Sequence, residues 1–333
     1  MLEAILKLPL KRCTTIFVDA RMPLPDDMPS SIVVVRVKPS ILGRLLAECL
    51  LAAKVDPDDT VLCFGNLPPL FNVAGRVVVF LQNRYLIEDA SLRGRLIKVS
   101  MHLRFERIWL KMRAGTVDEF IVQTQSMKEA LAHYLSNVKM KPVFCIRIQP
   151  FVSREFQSCQ AQVDGTHEKS TVYDFVYVAS GECHKNHRLL IDAWIRLAQE
   201  GCQPSLALTI DVARFPDLCD LIETQKRIHH LRIENKGVLP QSKVVDLYRC
   251  CGALIYPSIL ESFGLPLIEA KNLGLAVLAG ELDYVRDILN PDETFDPNSA
   301  VSIARAVKRF GDLEEQALRI VDADAFVDSL RRD

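Results

Sequence analysis

Glu261, Glu269 and Lys185 are the ionisable residues whose placing suggests chemistry. The two glutamates stand eight residues apart in ALIYPSILESFGLPLIEAKNLGLAVLAG, residues 253–280. A carboxylate repels a phosphate, so both suit neutral hydroxyls, such as those of a sugar and a ribose. Lys185 lies in ASGECHKN, residues 179–186. A small loop, one ammonium and the start of a helix together suit a phosphate. Taken alone, the glutamates also fit two acids on a solvated helix, and Lys185 also fits a solvated lysine. The surrounding strings separate these readings.

The elements that must hold these residues can be read from pattern. Ala253–Tyr256 is a short apolar run, a buried strand that Pro257 and Ser258 end. Gly264 permits close backbone approach, and Pro266 suits the first turn of a helix that runs to Gly274. Ala276–Ala279 is the next strand. Glu261 then falls on the loop at a strand's carboxyl end, where ligands bind in open α/β sheets, and Glu269 about one turn inside the helix. Tyr173–Ala179 reads as a strand before the Lys185 loop, and an amphipathic helix follows from Arg188 to Gln199, stopped at Gly201.

The 253–280 string resembles the donor-site signature of the retaining glycosyltransferases of family 4, also called group 1, E-x-F-G-x-P-x-x-E-A. Glu261, Phe263, Gly264, Pro266, Glu269 and Ala270 match it in place. The resemblance covers roughly residues 60–310. It implies the GT-B fold: α/β, two Rossmann-like domains with a donor-binding cleft between them. It also implies transfer of a hexose, mannose-like, from a nucleotide-diphospho-sugar to a saccharide or lipid-linked acceptor, in surface polysaccharide synthesis. Lys185 and Asn186 match the family's diphosphate loop, although Ala179 replaces its usual glycine and Ser180 stands where many relatives carry arginine. By resemblance, Glu261 and Lys185 are the catalytic residues. Ser180, Lys185, Asn186, Val238, Leu239, Glu261, Ser262, Phe263, Gly264, Leu265 and Glu269 form the donor site, with Val238 and Leu239 near the base. Gln82 and Asn83 stand where the family often has a histidine facing the sugar, and they also fit an amide-capped loop. No metal and no cofactor is implied. The short Cys183, His184, His187 cluster lacks a second ligand pair.

In the first half, β-branched runs at residues 14–20, 32–37, 60–65, 76–82, 118–124 and 143–148 alternate with helical patterns at 41–54, 92–112 and 126–135. Such alternation argues for a parallel sheet covered by helices. Residues 1–152 are expected to form the acceptor-side domain and 171–312 the donor domain, with 313–333 a helical tail packing back on the first. The polar stretch 151–170 is the linker. Leu2–Leu10 reads as the family's first helix and no glycine precedes Gly43, so the first domain is expected to lack its first strand and glycine-rich loop.

Charge and composition bound the partners. The 333 residues carry a net charge of −1, which argues against a nucleic-acid partner. No apolar run reaches transmembrane length, and Met1–Cys13 lacks the features of a secretory signal. Ten cysteines without a C-x-x-C pair point to reduced thiols in the cytoplasm. Residues 93–113 hold seven cations and one acid among apolar residues, a basic amphipathic helix suited to an anionic membrane surface. The expected location is therefore cytoplasmic, peripheral at the inner face of the cytoplasmic membrane. The rival reading is a non-catalytic or truncated relative that binds sugar nucleotides or acts as a scaffold.

Overall fold

Apolar β-branched runs too short for helices form parallel strands here, and the longer amphipathic stretches between them cover the strands. A computed structural model of the chain describes residues 6, 14–25, 28–88, 101–137, 145–150 and 171–312. The second half builds one six-stranded parallel sheet from β7 (Tyr173–Tyr177), β8 (Leu206–Leu208), β9 (Ile233–Asn235), β10 (Cys251–Tyr256), β11 (Ala276–Gly280) and β12 (Glu293–Phe295). Their order is β12-β11-β10-β7-β8-β9. β7 and β10 are central, and both run apolar and buried because helices lie on each face. The helices are α4 (His187–Gln199), α5 (Pro216–His229), α6 (Gln241–Arg249), α7 (Leu265–Asn272), α8 (Asp283–Arg286) and α9 (Ala300–Phe310). Tyr177, Trp194, Leu208, Leu254 and Ile303 sit at the centre of this core.

The strand order makes the site. From β7 the chain winds outward through β8 and β9, then returns to place β10 on β7's other side. The sheet's switch in winding direction therefore falls between β7 and β10. Connections leaving their carboxyl ends diverge and open a crevice there. The Lys185 loop follows β7 and the Glu261 loop follows β10.

In the first half, β3 (Thr60–Cys63), β4 (Arg76–Phe80), β5 (Glu119–Val122) and β6 (Cys145–Ile148) form a parallel sheet in that order. β1 (Thr14–Asp19) and β2 (Ile32–Val37) form a separate parallel pair. Among the described residues no strand joins the pair to the sheet. The helices are α1 (Ile41–Lys54), capped by the Ser40 hydroxyl, α2 (Met101–Arg113) and α3 (Gln125–Asn137).

The three-residue strands β9 and β12 are too short to leave an alternating pattern and were not foreseen. Of the expected basic helix, residues 101–113 form α2 and the earlier part lies outside the described residues. Expectations for residues 1–5, 7–13, 89–100, 151–170 and 313–333 lie outside the described residues. The described cysteines, Cys250 and Cys251 included, are free thiols.

Candidate functional site

After β7 the chain makes a tight polar loop, closed by a 3-10 turn over Cys183–Lys185. Asn186 adopts the left-handed conformation, φ 62°, which asparagine tolerates better than most residues. Its buried amide donates to the carbonyls of Pro257 and Pro297, so its role is to lock the loop. His187 donates through Nε2 to the Ser180 carbonyl, and the Tyr177 hydroxyl donates to the Lys185 carbonyl. The Ile259 N–H donates to the His184 carbonyl and ties this loop to the one after β10. Lys185 is thereby held over the crevice from below.

Glu261 meets it. Lys185 Nζ lies 2.5 Å from Glu261 Oε1, and both side chains are largely buried. The same oxygen accepts from the Ser258 hydroxyl at 2.7 Å and the Tyr256 hydroxyl at 2.9 Å. Among the described residues these donors all converge on Oε1, which leaves Oε2 with lone pairs for a ligand's hydroxyl. Burial, with the Glu261 charge nearby, pushes the Tyr177, Tyr256 and Tyr284 phenols well above their usual pKa, so all three stay protonated donors.

Three residues on, Gly264 turns the chain at φ 69° and ψ 56°. The conformation favours glycine, and a β-carbon there would also press on the Leu267 side chain at 3.1 Å. The turn starts α7 with Pro266 in its first turn, where the missing N–H leaves no gap. Phe263 is buried beneath. Glu269, in α7, is only 6% exposed. It accepts from the Tyr248 hydroxyl at 3.0 Å and, more loosely, from the Gln241 amide at 3.3 Å. Burial raises its pKa, and these two donors oppose the rise.

The remaining donor-site residues divide. Leu239 packs partly on the core, whereas Val238 is exposed just beyond Gly237, at the carboxyl end of β9. Ser180 spends its hydroxyl on Glu182. Ser262 contributes its carbonyl, which accepts from Thr124 of the first half at 3.4 Å.

Gln82 and Asn83 follow the carboxyl end of β4; the Gln82 side chain ties to the loop after β3 and the Asn83 side chain to its own turn. The Gln82 amide donates to the Phe64 carbonyl, and Asn83 accepts from the Tyr85 N–H to cap a 3-10 turn. The residues that reach across are ones the sequence did not single out. Arg84 donates to the Glu261 carbonyl at 3.4 Å, and Tyr85 packs edge-on against His184. Asp287 accepts the Ser126 N–H at 2.7 Å, so a carboxylate of the second half caps α3 of the first. Tyr256 and Ser258 could have been suspected, since both lie in the quoted string. Arg84 and Asp287 had no sequence signal, because their partners are distant in the chain. Among the described residues no three metal-binding side chains gather.

Comparison with known proteins follows this geometry. Residues 161–324 match the family model for glycosyl transferases group 1. The chain is 30% identical over 74 residues to the serotype-specific mannosyltransferase WbdA of Escherichia coli, a stretch spanning 22% of this chain and 9% of that one. It is 26% identical over 132 residues to the O-antigen chain mannosyltransferase B of Escherichia coli, spanning 39% of this chain and 34% of the relative. These matches span about a tenth and a third of the relatives' lengths. Among solved structures, sucrose-phosphate synthase from Thermosynechococcus elongatus superposes with a TM-score of 0.65 at 16% identity, over 90% of this chain and 80% of that one. Anabaena HepE in complex with UDP and glucose gives 0.56 at 14% identity, over 84% and 76%. The fold is GT-B. The half that carries Lys185 and Glu261 has the sequence pattern of group 1 glycosyl transferases.

Proposed function

We propose that this protein transfers a hexose from a nucleotide-diphospho-sugar to a saccharide or lipid-linked acceptor, with retention of anomeric configuration, in polysaccharide assembly. The observation that carries this is the meeting of Lys185 and Glu261 at the switch point, beside the start of α7. The diphosphate lies against the first N–H groups of α7 and the Lys185 ammonium, which stabilise its charge as it departs. Glu261 orients the sugar hydroxyls through Oε2, and Glu269 takes the ribose by exchanging its weaker bond to Gln241. The departing phosphate accepts the acceptor's proton on the same face, so no glutamate nucleophile is needed. No metal or cofactor enters. The mannosyltransferase names of the two relatives favour mannose as the sugar.

The lipid-linked acceptor and a peripheral place on the cytoplasmic membrane are supported by α2. Met101, Phe105, Ile108 and Met112, spaced 4, 3 and 4, form one helix face and are 54–67% exposed. Exposed Arg104 and Lys111 flank them. An outward apolar stripe beside cations fits an anionic lipid surface. Among the described residues no helix is long and apolar enough to cross a membrane.

The second reading is a nucleotide-sugar-binding subunit without transfer. A panel of nucleotide sugars, assayed for hydrolysis and for transfer to lipid-linked saccharides with Glu261→Ala as control, separates the two. Turnover lost in Glu261→Ala supports the enzyme. Binding without turnover by the wild type supports the subunit, and absence of binding overturns both.

A further inference from the structure

Resting on the donor-site reading, the charges in the crevice leave a deficit. A diphosphate brings two or more negative charges, and Glu261 adds another. Lys185 faces them from the second half, with its ammonium already 2.5 Å from Glu261, while Arg214 beside the same loop is paired with Glu182. Ser180, the polar side chain at the mouth of the same loop, adds no charge and is bonded to Glu182.

The first half supplies a cation at this place. Arg84 leaves the carboxyl end of β4, and its side chain is only 16% exposed. Its guanidinium pairs on one edge with Glu88, at 2.8 Å from Nε and 2.7 Å from Nη2. Nη1 makes one long bond, 3.4 Å, to the Glu261 carbonyl. Arg84 also lies close enough to the buried Tyr284 phenol to oppose the rise in its pKa. The Tyr284 ring in turn lies against Gly264, where α7 starts. Lys185 thus approaches Glu261 through its carboxylate, and Arg84 approaches it through its backbone.

We propose that Arg84 is a diphosphate-binding residue delivered by the first half, turning Nη1 from the Glu261 carbonyl to a phosphate oxygen when the donor binds. A guanidinium fits phosphate better than an ammonium does, because its planar fork presents paired donors. A long bond to a neutral carbonyl is a small loss in that exchange. Glu88 competes for the same guanidinium and tempers its affinity. The donor diphosphate is then a ligand of both halves, and binding it holds the crevice closed.

The test uses the full chain and titrates UDP, GDP and ADP, each beside its monophosphate and nucleoside, into wild type, Arg84→Gln and Glu88→Gln. Arg84→Gln is expected to weaken the preferred diphosphate at least tenfold while leaving the nucleoside unchanged. Glu88→Gln, which frees the guanidinium, is expected to tighten it. A salt bridge that merely props the loop would make both variants weaken alike, and that result overturns the proposal. So does a diphosphate affinity in Arg84→Gln equal to that of the wild type. Wild-type protein that binds none of the three diphosphates would overturn the donor-site reading itself, and this inference with it.

Discussion

Glu261 accepts three donors through one oxygen, and each comes from a different place: Lys185 from the loop after β7, Tyr256 from the end of β10, Ser258 from the turn beyond. Such convergence fixes the rotamer of this carboxylate, whose other oxygen meets the donor sugar in the proposed function. Gly264 is as constrained, by a left-handed backbone and by Leu267 against its missing side chain. Gly264→Ala should lower stability by about 1–2 kcal/mol, and more where Leu267 cannot shift. Thermal unfolding reads this, and an unchanged midpoint would mean that the turn is relaxed. His187 makes a pH prediction. Burial and the neighbouring Lys185 depress its pKa to about 4, with the bond to Ser180 opposing. The folded state therefore favours the neutral ring. Its stability is complete above pH 6.5 and falls as pH drops towards 4, by about 3 kcal/mol in all. His187→Gln should flatten that limb of the stability profile, and an identical decline in wild type and variant would remove His187 as its source.

At the scale of elements, α2 and α3 carry the tests. If α2 lies on lipid, sedimentation with vesicles should require anionic lipid and weaken with salt, each cation near the surface contributing about 1 kcal/mol. Phe105→Ser should lower vesicle binding without lowering stability, since this side chain is 65% exposed. Binding indifferent to lipid charge and to salt would leave the stripe without this role. Asp287→Ala removes a cap from α3 and should cost about 1 kcal/mol. Much of this level was legible in the sequence: α1 spans Ile41–Lys54 as its pattern indicates, and α7 begins beside Pro266. The strands β9 and β12 were not, because three residues carry no period. The pairing of Lys185 with Glu261 was hidden for another reason. It depends on β10 returning to β7 across two intervening strands, a fact of topology that no local pattern carries. The sequence offered the two residues by family resemblance, and the sheet order explains why they touch. Gln82 and Asn83 follow β4, with the Gln82 amide bonded to the Phe64 carbonyl after β3 and Asn83 capping its own turn.

At the scale of the molecule, the two halves touch through Arg84, Tyr85, Thr124 and the Asp287 cap on α3. On the proposed reading most donor contacts come from the second half, with Arg84 added from the first, so nucleotide binding should depend first on Lys185 and the start of α7. Isothermal titration of the preferred nucleoside diphosphate tests this most directly, using wild type, Lys185→Ala and the distant Lys226→Ala, which lies on α5. We expect Lys185→Ala to weaken binding at least tenfold, about 1.4 kcal/mol, and Lys226→Ala to leave it unchanged. Equal affinity in wild type and Lys185→Ala would contradict the donor site.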